Sequence, residues 1–208
     1  MKKFIIVLLV VGFVCAAQPA AALTIFNNET DFLNAAGPLS FEGFEGLTAN
    51  NSFNLALITA SDFVVTASNS QLGIYNIPIG GAFATEGDQF LVHQSGSGVT
   101  TTFTFNNEIK CFGFDLIDYG DFGTGQLTLV NNAGDNAVVA VSGGLNGNVQ
   151  YFGLISDFMF TQAIFTNSIA GEGFGFDKVS YGVPEPATMM LLGLGSLAAI
   201  RGRRRQQR

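Results

Sequence analysis

Short runs rich in Phe, Val, Ile and Thr recur along most of this chain, and Gly, Asn or Asp residues bound nearly all of them. Such runs predict β-strands, because branched and aromatic side chains pack well on a half-buried pleated surface. Their spacing predicts an all-β protein built as an antiparallel β-sandwich. The predicted strands are residues 39–45, 62–67, 72–77, 89–93, 99–105, 110–117, 126–130, 137–141, 149–155, 158–165 and 174–181.

One short segment near the start departs from the strand pattern. The polar residues 28–31 provide a cap for residues 32–36, and Gly37-Pro38 ends the segment. We therefore expect one short N-terminal helix of about two turns.

The last predicted strand contains a break in its alternation. Phe174 and Phe176 lie on one face by parity, whereas Val179 and Tyr181 lie on the other. An extra residue between the two pairs indicates a β-bulge near Asp177. Such a bulge can aim the Asp177 side chain away from the sheet.

The N-terminus has the pattern of a secretory signal peptide. Lys2 and Lys3 precede an apolar core at residues 4–14, and small residues lead up to Ala22. We expect residues 1–22 to be removed by signal peptidase, which leaves a β-sandwich domain at residues 23–182. A lipoprotein signal at Cys15 is the alternative, but Val14 stands where such signals have Gly or Ala.

The C-terminal residues 183–208 form a separate tail with three parts. A Pro184-Glu185-Pro186 motif precedes an apolar stretch at 187–200, which holds 14 residues and no charge. Because a membrane-spanning helix needs about 20 residues, this predicted hydrophobic helix is a marginal span. Arginines follow it and favour a cytoplasmic C-terminal end. They are Arg201, Arg203, Arg204, Arg205 and Arg208.

A weak C-terminal anchor would need no Pro-Glu-Pro motif. The tail as a whole resembles the PEP-CTERM sorting tail of Gram-negative bacteria, with the motif at 184–186, the hydrophobic helix at 187–200 and the basic cluster at 201–208. The resemblance implies recognition by an exosortase, which is a membrane protease, followed by removal of the tail. It also implies a transient stay in the inner membrane and delivery to the cell surface or extracellular matrix.

Between the predicted processing sites, residues 23–183 are strongly acidic. Lys110 and Lys178 are their only basic residues against 15 acids, which gives a net charge of −13. Such a surface repels nucleic acid and anionic lipid, and it attracts cations, among which Ca²⁺ suits carboxylates best. Cys111 is the only cysteine left, so an internal disulfide is excluded and a buried thiol is expected.

The two ends of the domain resemble the first and last strands of jelly-roll modules, which include carbohydrate-binding and other extracellular β-sandwiches. The resemblance is carried by residues 41–44 and 175–182. It implies a jelly-roll-like sandwich in which Glu42 and Asp177 approach a structural Ca²⁺ ion. Lys178 stands where those modules often have a second Asp.

A second group of carboxylates offers another candidate metal site. Asp115, Asp118 and Asp121 follow one another at the end of a predicted strand, and Gly120 and Gly123 allow a tight turn there. Carboxylate oxygens are the ligands that Ca²⁺ prefers, although the spacing is not that of an EF-hand. The alternative is a solvated acidic loop. The sequence shows no His or Cys cluster that would suggest zinc or iron.

The sequence offers few residues that could carry out nucleophilic catalysis. His93 is the only histidine, and it could act only with Asp88 and with Ser95 or Cys111. The alternative interpretation is a strand-end histidine in a hairpin. Glycoside hydrolysis needs only two carboxylates about 5–10 Å apart. Local candidates are Glu42 with Glu45, Glu86 with Asp88, and the Asp115, Asp118 and Asp121 group.

The aromatic residues weigh against a conventional sugar cleft. The chain holds 21 Phe and no Trp, so Phe fills the predicted core and the commonest sugar-stacking residue is missing. Tyr75, Tyr119 and Tyr151 remain candidate platforms for a sugar ring.

We therefore expect an exported, non-catalytic β-sandwich at the cell surface or in the extracellular matrix, with no required cofactor and with Ca²⁺ as a candidate structural ion. Its expected partners are signal peptidase and exosortase during export, and not nucleic acid. The first alternative is a carbohydrate-binding module for exopolysaccharide. The second is a glycan-acting hydrolase.

Overall fold

Eleven strands and one helix make up the part of the chain that the computed structural model describes, residues 23–141 and 143–184. Every pairing between these strands is antiparallel, which confirms the predicted all-β sandwich. In chain order the elements are β1 (Thr24–Phe26), α1 (Glu29–Ala36), β2 (Ser40–Glu42), β3 (Leu57–Thr59), β4 (Phe63–Ala67), β5 (Leu72–Tyr75), β6 (Phe90–Gln94), β7 (Thr100–Ile117), β8 (Gln126–Asn131), β9 (Asn136–Val141), β10 (Val149–Asn167) and β11 (Gly173–Gly182).

The predicted signal peptide and nearly all of the predicted sorting tail lie outside the described residues. Within the described residues, the structure contains no helix of sufficient length and hydrophobicity to span a membrane.

The strands β7 and β10 are long and shared by both layers of the sandwich. The first half of β7 pairs with β4, and its second half pairs with β11. β10 runs beside β7 along both halves, with register shifts between Ile155 and Gln162. The sequence predicted two separate strands in each case, because Asn106 and Asn107 in β7 and Ser156 and Asp157 in β10 resemble breaks between strands.

A ring contact within β7 shows that this strand folds back on itself. The ring centroids of Phe103 and Phe112 are 5.4 Å apart. Nine residues of straight strand would separate them by about 30 Å. The strand therefore bends sharply between them, and its two halves face each other across the core.

Phenylalanine rings fill the space between the two layers, as the composition predicted. Phe103 contacts Phe165 and Phe176 at centroid distances of 5.7 and 5.2 Å. Phe63 on β4 meets Tyr181 on β11 at 5.4 Å, edge to face. All of these rings are buried. Each such side chain removes roughly 150–250 Å² from water, so this aromatic cluster supplies much of the stability of the fold.

The predicted β-bulge in β11 is confirmed. Its pairing with β7 shifts register between Asp177 and Ser180, and Lys178 adopts a positive φ of 52°. The bulge brings Val179 and Tyr181 onto the same core as Phe174 and Phe176. Asp177 lies on the opposite face of the strand, where it is fully buried under the segment before β6.

The helix α1 covers the outer face of β7 and β10. Asn28 caps it by accepting a hydrogen bond of 3.1 Å from the N–H of Asp31, and Gly37 ends it with a φ of 75°, as the sequence predicted. Phe32 and Ala36 pack against Cys111, whose thiol is fully buried. Burial raises the pKa of Cys111 to about 12, so the thiol is inert.

Replacing Gly153 by Ala tests how closely α1 packs on the sheet. An added Cβ would lie 2.7 Å from Cδ2 and 2.9 Å from Cγ of the buried Phe32 ring. We expect the free energy of unfolding, measured by urea denaturation, to fall by about 1–3 kcal/mol, the usual cost of overpacking. The control is Gly173→Ala, whose Cβ meets no described atom within 4 Å. Equal losses in the two variants would contradict this packing.

Candidate functional site

A pocket of about 210 Å³ opens at one end of the sandwich, where several loops meet; we call it the loop-end pocket. Asp118 comes directly after β7, and Glu172 comes directly before β11. Since these two strands are antiparallel neighbours, with Ile117 opposite Gly175, the two acids lie at the same edge of the sheet. The lining residues are Phe53, Ile79, Gly80, Val92, Asp118, Asp121, Phe122, Asn146, Glu172 and Gly173.

Glu172 is the unusual member of this pocket. Its exposed fraction is 0 %, yet neither carboxylate oxygen has a hydrogen-bond partner of good geometry among residues 23–141 and 143–184. Burial raises the pKa of Glu172 to about 7, and the nearby charges of Asp121 and Asp118 add to the rise. The backbone N–H groups of Gly120 and Phe122 act in the opposite direction and lower the pKa of Glu172. A buried acid without a well-formed hydrogen bond is costly, so it marks a candidate binding site.

Asp118 is held more firmly than Glu172. Its Oδ1 accepts a hydrogen bond of 2.6 Å from the N–H of Gly147, and its own N–H donates to the carbonyl of Asn148 at 2.7 Å. Asp118 and Gly80 both have positive φ angles, and a Cβ on Gly80 would overlap the Asp118 carboxylate. Burial raises the pKa of Asp118, the Gly147 amide lowers it, and Asp121 raises it again.

The mouth of the loop-end pocket combines aromatic and polar side chains. Phe122 is 70 % exposed, and Asp121 and Asn146 are exposed beside the opening. Phe53 forms part of the wall and contacts Tyr75 at a centroid distance of 5.1 Å. The pocket therefore has apolar walls with a flat ring at its edge, and acidic oxygens inside and around it.

The tyrosines predicted as sugar platforms do not present open rings. Tyr119 is fully buried, and its hydroxyl donates to Oδ1 of Asn167 at 3.1 Å. Tyr75 is only 6 % exposed. Tyr151 is half-buried against Phe32, and its hydroxyl is buried and meets no hydrogen-bond partner among the described residues. These rings belong to the core and its covering layers, so they cannot stack on a surface sugar in this structure.

A second polar cluster lies on the outer face of the sheet, away from the loop-end pocket. Asp177 pairs directly across from Asp115 on β7. Oδ2 of Asp177 accepts hydrogen bonds from the N–H groups of Thr85 and Glu86 at 2.6 and 2.9 Å, and Oδ1 accepts one from Lys178 at 2.7 Å. Burial raises the pKa of Asp177 to about 6 against these bonds. The carboxylate thus holds the covering segment onto the sheet.

Lys178 joins α1 to the same cluster. Its Nζ lies 2.5 Å from Oε2 of Glu29 on the helix and 3.8 Å from Oδ2 of Asp115. Burial raises the pKa of Asp115, and Lys178 lowers it. The lysine that stands where jelly-roll modules often have an Asp therefore neutralises part of a buried acidic row. This cluster holds the fold together and is closed to a large ligand.

The predicted calcium ligands are divided among three places. Asp115 and Asp177 belong to the Lys178 cluster, whereas Asp118 and Asp121 line the loop-end pocket. Glu42 accepts hydrogen bonds from the N–H of Phe44 and the hydroxyl of Ser61 at 2.7 and 3.2 Å. Within the described residues, no three Asp, Glu, His or Cys side chains are placed to hold one metal ion. Calcium binding stays a prediction.

His93 is sealed inside the fold. Its ring nitrogens lie 2.6 Å from Oγ1 of Thr101 and 2.9 Å from Oδ1 of Asn69. Burial lowers the pKa of His93 to about 4, so the ring is neutral at ordinary pH.

Glu45, another candidate acid, accepts hydrogen bonds from the N–H groups of Asp88 and Gln89 and thereby closes a loop. The side chains of His93 and Glu45 therefore stabilise the fold through these hydrogen bonds.

A family comparison finds one match in the chain. The PEP-CTERM protein-sorting motif matches residues 182–205, which confirms the resemblance of the tail. A protein with this motif is exported and processed by an exosortase, so the chain carries a sorting signal that begins at the last residue of its last strand. No curated protein matches the chain.

Several solved structures resemble the sandwich at low identity. TmCBM61 in complex with β-1,4-galactotriose is 12 % identical, with a TM-score of 0.42 over 68 % of this chain and 94 % of that one. The K2 cleaved adhesin domain of Lys-gingipain is 11 % identical, with a TM-score of 0.44 over 70 % and 98 %. The CBM22-1 xylan-binding domain from Paenibacillus barcinonensis is 13 % identical, with a TM-score of 0.43 over 73 % and 98 %.

The buried acid Glu172 predicts an unusual dependence of stability on pH. Its pKa rises from 4.5 in the unfolded chain to about 7 on folding. The folded state therefore binds the proton more tightly within that window, and stability falls as the pH rises through it. Glu172 should therefore contribute about 1 kcal/mol more to the free energy of unfolding at about pH 6 than at about pH 8.

Urea denaturation of Glu172→Gln and Glu108→Gln measures this contribution. Glu108 is exposed at the bend of β7 and undergoes the same substitution. The Glu172→Gln protein should lose this part of the pH dependence and gain stability at about pH 8, whereas Glu108→Gln should keep the dependence. A Glu172→Gln protein with unchanged pH dependence would contradict the burial of an ionisable acid at this position.

Proposed function

We propose that this chain is a non-catalytic surface or extracellular-matrix protein of a Gram-negative bacterium, whose β-sandwich is released from its tail by an exosortase. The observation that carries the proposal is the position of the sorting motif. The motif begins at Gly182, the last residue of β11, and β11 is paired on both sides by β2 and β7. Cleavage after this strand therefore leaves every described pairing intact.

The exposed residue after the strand supports the same proposal. Val183 is exposed, so the chain leaves the surface of the sandwich at that point. The Pro-Glu-Pro motif follows at once. Because proline disfavours regular helix and sheet, the sequence of this motif predicts an extended segment that a protease can reach.

The non-catalytic part of the proposal follows from the candidate residues for catalysis. His93 is enclosed by Thr101 and Asn69 and stays neutral. Glu42 and Glu45 hold loops through backbone N–H groups. Glu172 lines the loop-end pocket, and its raised pKa suits a general acid. Release of reducing ends from a polysaccharide, lost in Glu172→Gln, would replace this proposal with a glycan-acting hydrolase.

Polysaccharide binding is the second function that a specific observation favours. Phe122 presents an open ring at the mouth of the loop-end pocket, next to Asp118, Asp121 and Asn146. Sugar rings have apolar faces that stack on aromatic rings, and their hydroxyl groups donate hydrogen bonds to carboxylates. The ring and the polar groups lie together, as recognition of a sugar requires.

Substitution of the sorting motif tests the main proposal in the native host. We expect Pro184→Ala combined with Glu185→Ala to leave a membrane-bound chain that retains its C-terminal arginines, as measured by mass spectrometry of cell fractions. Arg203→Lys, which keeps the basic cluster charged, should be processed normally. Finding the unmodified protein at the cell surface with residues 201–208 still attached would contradict processing.

Substitution of the exposed ring tests polysaccharide binding. We expect Phe122→Ala to weaken retention on polysaccharide in affinity electrophoresis by about 3–10-fold, the loss of one stacking contact. Phe158→Ala is the control, because Phe158 is 52 % exposed but does not line the loop-end pocket. Equal losses from both variants would indicate nonspecific adhesion to exposed rings and would contradict a defined site.

A further inference from the structure

The loop-end pocket contains a buried carboxyl group with incomplete hydrogen bonding. Glu172 lines the pocket, is 0 % exposed, and meets no hydrogen-bond partner of good geometry in the part of the chain that the structure describes. Asp118 and Asp121 add further negative charge around it. A ligand that carries a positive charge into the pocket would supply the missing partner and reduce the cost of burial.

The shape of the pocket favours an organic cation over a metal ion. The acids share one pocket, but among residues 23–141 and 143–184 no three are placed to hold a metal. The pocket volume of about 210 Å³ is far larger than a bare ion needs, and it lies below the roughly 300–1,000 Å³ of sites for drug-sized ligands. Phe53 and Ile79 give it apolar walls. A small carbon skeleton that bears one ammonium group fits this combination.

We propose that the loop-end pocket binds a protonated amino sugar of a polysaccharide, whose ammonium group pairs with Glu172. The proposal rests on polysaccharide binding as proposed above and names the class of sugar. Phe122 offers its face to the apolar side of the sugar ring, and Asp121 and Asn146 stand where ring hydroxyl groups would lie. The charge of −13 on residues 23–183 attracts a polysaccharide that carries many ammonium groups.

A lysine side chain of a partner protein carries the same ammonium group but fits the pocket less well. A lysine would pair with Glu172 through a flexible chain that loses rotamer entropy on binding. Its methylene groups offer no donor or acceptor to Asp121 and Asn146, so these exposed side chains would keep their bonds to water and add nothing to binding. A rigid ring that bears hydroxyl groups satisfies these side chains and Glu172 together.

Isothermal titration with matched sugar oligomers tests the proposal. The probes are the hexamer of β-1,4-linked glucosamine and its fully N-acetylated form, which share a backbone and differ in charge. We expect the unmodified protein to bind the charged hexamer about 10–100-fold more tightly, the usual value of a charge-assisted pair. Glu172→Gln should lose this preference, and Glu108→Gln should keep it. Melting curves check that both variants are folded.

The other outcomes separate this proposal from the one on which it rests. Equal binding of the two hexamers would overturn the ammonium assignment and leave polysaccharide binding standing. Binding of polylysine as tight as that of the charged hexamer would overturn it in favour of a protein partner. Similar losses in Glu172→Gln and Glu108→Gln would overturn it in favour of nonspecific attraction. If neither hexamer binds, the amino-sugar assignment fails, and a neutral polysaccharide retained through Phe122 would still support the proposed function.

Discussion

The bend of β7 is the constraint on which the rest of this sandwich depends. A strand of 18 residues can contribute to both layers only if it reverses across the core, and the contact between Phe103 and Phe112 shows that it does. β10 follows the same path beside it, so one long antiparallel pair forms the centre of both layers. The remaining strands add to its two edges. The Phe-rich composition supplies rings large enough to fill the space that the bend encloses.

The acidic residues of the sandwich fall into two groups that differ in how they are neutralised. Asp177 and Glu42 accept hydrogen bonds from nearby backbone N–H groups, and Asp115 lies beside Lys178. These acids hold the covering segments and α1 on the sheet. Glu172 is buried as completely as Asp177, but the described chain provides it with no well-formed hydrogen bond. Burying such an acid costs free energy, and a cationic ligand would offset part of that cost.

The strand pattern, the capped helix and the bulge could be predicted from the sequence, because each depends on local parity, caps or turn residues. The continuity of β7 and β10 could not, since polar residues at the bends look the same as loop residues. In the loop-end pocket, the sequence pointed to Asp118 and Asp121 but not to Glu172 or Phe122. A glutamate between glycines is normally solvated, and its burial depends on how β7 and β11 end at one edge of the sheet. The sequence also did not show that the fold covers the rings of Tyr75, Tyr119 and Tyr151, because burial of a tyrosine depends on packing between distant segments.

The central claim of this account is that folding buries the Glu172 carboxyl group beside the loop-end pocket and gives it no well-formed hydrogen bond within the described residues. A carbon-13 NMR titration of the side-chain carboxyl groups, with Glu172→Gln used to assign the resonance, measures this directly. The account predicts that Glu172 titrates near pH 7 in the ligand-free protein. A value near 4.5, the ordinary pKa of a glutamate, would show that the carboxyl group is solvated or already paired, and it would contradict the claim.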